Sequence, residues 1–137
     1  MFYSFWCDLY LDYPVLYPSA LPLLRYLIDK GYKLGIVTNG NTVSQSRKLR
    51  ACGVDELIKV SVISGSVGVA KPDPKIYYMA LEKLNAKPEE SLFVGNNPST
   101  DILGAINAGM DSFFIPGREL TLTPTYSGTL DDLFELL

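Results

Sequence analysis

The sequence predicts an α/β fold in which an open parallel sheet is layered between helices, and three observations predict it. Short, nearly continuous apolar runs of the kind found in strands buried on both faces alternate with stretches of helical periodicity. The joins between them are short and rich in cap and turn residues. Strand–helix–strand alternation with such joins closes as right-handed βαβ units, which puts helices over the sheet.

Ser19 caps the first predicted helix, whose apolar positions Ala20, Leu24, Leu27 and Ile28 recur at helical spacing, and Gly31 closes it. The run Lys33-Leu34-Gly35-Ile36-Val37 reads as a buried strand ending on Thr38. A second helix is expected from Thr42 to Cys52, capped by Asn41 and stopped at Gly53. Val60-Ser61-Val62-Ile63-Ser64 is again strand-like and opens into a glycine-bearing loop, Gly65-Ser66-Val67-Gly68. Beyond it, Pro72 biases Lys71 toward extended backbone, Asp73 caps the next helix, and Pro74 fits the first turn, where a missing N–H costs nothing. Ile76, Met79, Ala80, Lys83 and Leu84 mark that helix's mainly buried face. Leu92-Phe93-Val94 is a third strand turning at Gly95, followed by a helix with Ile102, Ala105 and Ile106 that ends at Gly109. Ser112-Phe113-Phe114-Ile115 is a fourth strand; a Gly/Thr/Pro-rich tail and a helix from Asp131 to Leu137 complete the chain.

The 137 residues, 47% hydrophobic and 20% charged, read as one domain spanning 1–137, with neither repeat nor linker. A formal net charge of −3 without any Lys/Arg block argues against nucleic acid or an anionic membrane as partner. The start Met1-Phe2-Tyr3-Ser4-Phe5-Trp6 lacks the basic flank and cleavage site of a signal peptide, so a cytoplasmic location is expected. With no histidine and only Cys7 and Cys52, His-based triads, His-rich zinc sites and a disulfide framework are excluded.

Three polar groups gather at the predicted carboxyl ends of successive strands: Thr38-Asn39-Gly40, Lys71-Pro72-Asp73-Pro74, and Gly95-Asn96-Asn97-Pro98-Ser99-Thr100-Asp101. Ligands of open α/β sheets bind at those ends, so a hydroxyl, an ammonium and an Asn/Asp pair read as a phosphate-handling site. Each has an ordinary alternative. Thr38 can simply end a strand, Lys71 can be a solvated charge, Asn96-Asn97-Pro98 is common turn chemistry, and Asp101 suits a helix's first turn.

From about Pro18 onward these residues resemble the haloacid dehalogenase-like hydrolases, in particular the phosphatase branch with a helical cap inserted after the first strand. The strings Ile36-Val37-Thr38-Asn39-Gly40, Gly68-Val69-Ala70-Lys71-Pro72-Asp73-Pro74 and Asp101-Ile102-Leu103-Gly104-Ala105 carry the likeness. The resemblance implies a three-layer, Rossmann-like parallel sheet and a Mg²⁺-dependent phosphatase of a small phosphorylated substrate. It implies catalytic roles for Thr38 and Lys71 and phosphate binding by Thr38, Asn39, Gly40 and Lys71. Asn96 and Asp101 would be the metal positions.

The chain departs from that family in two places. No strand ending in Asp-x-Asp is visible, so the nucleophile, the first strand and the cap are expected to be absent from this chain, which alone would be inactive. Residues 1–17 read as the exit from the cap; Asp8 follows an apolar run, but Tyr10 stands where the acid/base partner belongs. Asn96 replaces an aspartate, which should weaken metal binding. Loss of a central strand leaves unpaired sheet edges, to be filled by the Phe2 to Cys7 run, by another chain through self-association, or by a longer gene product. Two functions stay open: the core of a phosphatase, or an inactive relative acting as a binding module.

Overall fold

A computed structural model describes residues 20–115 and 123–137. The cap-exit segment, Ser19, Asp8, the Phe2 to Cys7 run and the first part of the Gly/Thr/Pro-rich tail lie outside the described residues. The described elements are α1 (Ala20–Asp29), β1 (Gly35–Thr38), α2 (Thr42–Ala51), α3 (Val54–Leu57), β2 (Val60–Ile63), α4 (Ser64–Val67), α5 (Pro74–Leu84), β3 (Leu92–Gly95), α6 (Leu103–Ala108), β4 (Asp111–Phe114), β5 (Tyr126–Ser127) and α7 (Leu130–Leu136). This is the predicted α/β alternation, in a Rossmann-like parallel arrangement. No helix among the described residues is long and apolar enough to cross a membrane.

The helix ends follow from local chemistry. Asn41 Oδ1 accepts from the N–H groups of Val43 and Ser44 at 2.9 and 3.2 Å, and Asp73 accepts from Lys75 N at 3.0 Å, satisfying donors that a helix start leaves open. Gly31, at φ +87°, closes α1, and Tyr32 N–H then reaches Leu27 O at 3.0 Å. Three expectations are corrected. Residues 64–67 form one helical turn, α4, rather than a loop, and Gly68 at φ +77° ends it. Ile28 of α1 and Lys83 of α5 are exposed, whereas Leu23, Tyr77 and Leu81 join the buried faces of α1 and α5. Periodicity shared between neighbouring positions left those faces about one residue out of phase.

All strand pairings are parallel: Thr38 lies opposite Ile63, Gly95 opposite Phe114, and Phe114 opposite Ser127. Among the described residues they form two sheets, β1-β2 and β3-β4-β5, with no strand joining β1 to β3. The slot between β1 and β3 is the place that the sequence reading assigned to a first strand. Gly35 and Val37 of β1 and Phe93 of β3 line one small apolar cavity, roofed by Tyr77, Ala80 and Leu81 of α5 and by Met110. The chain steps from β1 outward to β2 and then back to β3, so right-handed crossovers put α2 and α3 on one face and α5 and α6 on the other. The packing agrees: α1 touches α3 and α7, while α5 touches α6. Thr38 and Gly95 therefore end on the same edge of the molecule.

Candidate active site

Thr38 is the last residue of β1 and only 4% exposed. Its hydroxyl oxygen accepts a hydrogen bond from Gln45 Nε2 at 2.6 Å. Beside it, Asn39 reaches across to the second motif and pairs with the Lys71 backbone in both directions. Asn39 Nδ2 donates to Lys71 O at 3.1 Å, and Lys71 N donates to Asn39 Oδ1 at 2.8 Å. A side-chain amide thus does for Lys71 what a neighbouring strand would do, setting where the side chain starts. Gly40 is held from the start of α4: its N–H donates to Ser64 Oγ at 2.9 Å, and its carbonyl accepts from Gly65 N at 3.0 Å.

Lys71 is 5% exposed, and its ammonium meets the Asp101 carboxylate at 2.6 Å. It also lies 5.9 Å from the centroid of the Phe93 ring. Asp101 is fully buried, with Oδ1 toward Lys71 and Oδ2 accepting from the N–H groups of Asn96 and Asn97 at 3.1 Å each. Burial pushes this carboxyl above its ordinary value, against the pull of the Lys71 ammonium and the two backbone donors. The backbone between is a π-turn, Pro98–Ile102, whose entry Asn97 caps by accepting from Ser99 N at 3.2 Å. That wider turn aims Asp101 back at the end of β3. A Cβ on Gly95 would overlap the Asp101 carboxylate, so only glycine fits there.

Asn96 Oδ1 is buried and has no hydrogen-bond partner among the described residues. Among the described residues no three His, Cys, Asp or Glu side chains gather as a metal-binding cluster. The structure thus joins the predicted residues in one chain of contacts, from Thr38 through Asn39 and Lys71 to Asp101 and the Asn96 backbone. The spacing of strand-end motifs did not point to Gln45, Ser64 or Tyr77. Tyr77 donates to Thr100 O at 2.8 Å and packs edge-on to Phe93 at 4.7 Å. Burial, and secondarily the Asp101 charge, raises its phenol far above the ordinary value, so it stays a donor. A Cβ on Gly104 would strike the Tyr77 ring, so the glycine within Asp101-Ile102-Leu103-Gly104 makes room for that tyrosine.

The family model for haloacid dehalogenase-like hydrolase matches residues 5–109. The chain belongs to that family. It is 45% identical over 94 residues to the glyceraldehyde 3-phosphate phosphatase of Methanopyrus kandleri, covering 69% of this chain and 40% of that protein. It is 39% identical over 103 residues to the phosphoserine phosphatase of Thermus thermophilus, covering 75% of this chain and 41% of the relative. The crystal structure of a HAD phosphatase from Thermococcus onnurineus superposes with a TM-score of 0.83 at 35% identity, covering 88% of this chain and 57% of that one. The chain thus spans about half the length of the curated relatives it matches.

Proposed function

We propose that this chain is the phosphoryl-binding core of a haloacid dehalogenase-like phosphatase that acts on a small phosphorylated metabolite. The buried Lys71–Asp101 pair, anchored through Asn39 to the strand end that carries Thr38, is the observation that carries this reading. The activities for which the two relatives are named, on an aldehyde phosphate and a phosphoamino acid, support the substrate class.

A phosphoryl group under attack by a carboxylate gathers charge on its nonbridging oxygens, and the site must neutralise it. Lys71 supplies the positive charge, and burial strengthens its pull by excluding water. Asp101 orients that ammonium, and Asn39 fixes its backbone, so little reorganisation is needed when the anion arrives. Thr38 adds a hydroxyl donor; the Gly40 N–H, now on Ser64 Oγ, would have to exchange partners to join it. The attacking carboxylate is assigned to a part of the full protein outside the described residues. The implied Mg²⁺ fits the donors present: Asn96 Oδ1 is an unpartnered buried oxygen, and Asp101, engaged by Lys71 and two N–H groups, would act through bound water. When bound, the ion supplies positive charge against the phosphoryl oxygens. A cytoplasmic setting and self-association through an unpaired sheet edge belong to the same proposal.

Asn96 favours one second reading, a binding module without turnover, because an amide in place of a carboxylate weakens the metal. Orthophosphate release by the intact gene product separates the two, assayed on a panel of aldehyde phosphates, phosphoamino acids and nucleotides with and without Mg²⁺. Expected are Mg²⁺-dependent release, a loss of about a hundredfold or more in Lys71→Ala, and tighter Mg²⁺ binding by calorimetry in Asn96→Asp. Phosphate binding without release selects the binding module, and neither overturns both.

A further inference from the structure

Gln45 sits in α2, one turn beyond the strand end, and its side chain folds back until only 7% of the residue is exposed. Its Nε2 lies 2.6 Å from Thr38 Oγ1 and 3.2 Å from Asn39 O. A carbonyl oxygen can only accept, so the amide atom facing Asn39 O must be the nitrogen, and the same nitrogen donates to Thr38. The Thr38 hydroxyl therefore uses a lone pair on Gln45, and its own proton has no acceptor among the described residues. Gln45 also passes under Gly40, where a Cβ would come within 2.9 Å of its Cγ, and Gly40 takes φ +148°, a region that favours glycine. The Asn39–Gly40 peptide is consequently clamped on both sides, its carbonyl by Gln45 and its N–H by Ser64.

We propose that Gln45 is a positioning residue that fixes the Thr38 hydroxyl as a hydrogen-bond donor toward a phosphoryl oxygen. A free hydroxyl can rotate to accept as readily as donate. One that already accepts from a buried amide keeps its proton for the ligand, and an unprotonated phosphoryl oxygen offers only lone pairs. Gln45 simultaneously occupies the Asn39 carbonyl, a group that would repel the same anion. This role rests on the phosphoryl-site reading above.

The test uses the full chain in two measurements. In ¹⁵N-resolved spectra, the Gln45 side-chain amide protons should move upfield and exchange faster in Thr38→Val; unchanged resonances overturn the hydrogen bond and the proposal. Inorganic phosphate binding is then titrated in wild type, Gln45→Met, Gln45→Leu, Thr38→Val and the Thr38→Val/Gln45→Met double variant, each checked for an unchanged unfolding temperature. Expected is about a tenfold weakening or more in Gln45→Met, the size of one donor to a charged acceptor, and no further loss when Thr38 is already Val. Equal losses in both backgrounds would mark Gln45 as merely structural, and no loss would leave it without the role; either overturns the proposal. A wild type that shows the Thr38-dependent amide shift but binds no phosphate overturns the phosphoryl-site reading and this role together.

Discussion

Lys71 and Asp101 show how a single residue pair can be costly and still be kept. Removing both charges from water carries a desolvation cost that their attraction offsets only when the remaining lone pairs and protons are also satisfied. Here the Asn96 and Asn97 N–H groups complete the Asp101 shell, and Phe93 offers Lys71 a ring face. Asp101→Ala should therefore destabilise by about 3–5 kcal/mol in chemical denaturation, because it strips a buried ammonium of this partner and leaves two backbone donors open. A loss below about 1 kcal/mol would mean that water reaches the pair. At this scale Thr38, Lys71 and Asp101 were legible as a motif, since each sits a fixed step from a strand end. The partners of those residues were not. Asn39 and Lys71 are far apart in sequence, and Gln45 reaches Thr38 only because α2 turns back over β1.

Elements carry their own signals where the stabilising contact is local. Asn41 and Asp73 satisfy donors two or three residues ahead, so their caps could be read directly. Thr129 and Asp132 form a reciprocal box at the start of α7, with Thr129 N–H on Asp132 Oδ2 at 2.8 Å and Asp132 N–H on Thr129 Oγ1 at 3.2 Å. The Thr129 backbone N–H, then its hydroxyl, hold the Asp132 carboxyl below its ordinary value. A lowered folded-state value means this contribution is present above the unfolded value, about 3.9, and is lost as pH falls through the folded one. Amide exchange across α7 should accordingly speed up in the wild type on going from about pH 5 to about pH 3, after correction for intrinsic rates. Asp132→Asn should remove that dependence; a wild-type profile as flat as the variant's would count against the box. The π-turn, in contrast, was invisible, because it serves to aim Asp101 at a distant lysine rather than to satisfy a local rule.

Across the whole molecule, Phe93 is the hub. It lines the apolar cavity between the two sheets, packs edge-on to Tyr77 of α5, and lies beside the Lys71 ammonium. Phe93→Ala should cost about 3–5 kcal/mol by the transfer and cavity terms, a large share of the stability of an ordinary domain, and should loosen the Lys71–Asp101 pair with it. Thermal unfolding followed by near-ultraviolet circular dichroism checks this, and a cost under about 1 kcal/mol would show that the core collapses around the void.

By itself, the sequence determined the α/β class, the order of the main strands and helices, the local caps and which strand-end residues are chemically distinctive. Those features depend on periodicity and on hydrogen bonds within a few residues. Only the tertiary structure decided that Asn39 holds the Lys71 backbone, that Asp101 is occupied by that lysine, that Asn96 Oδ1 has no partner among the described residues, and that Gln45 donates to the Thr38 hydroxyl. It also decided which strands pair among the described residues, β1 with β2 and β4 with β3 and β5. These are contacts between groups that meet only after the elements have packed, and their energies depend on burial and approach distances that residue order does not encode.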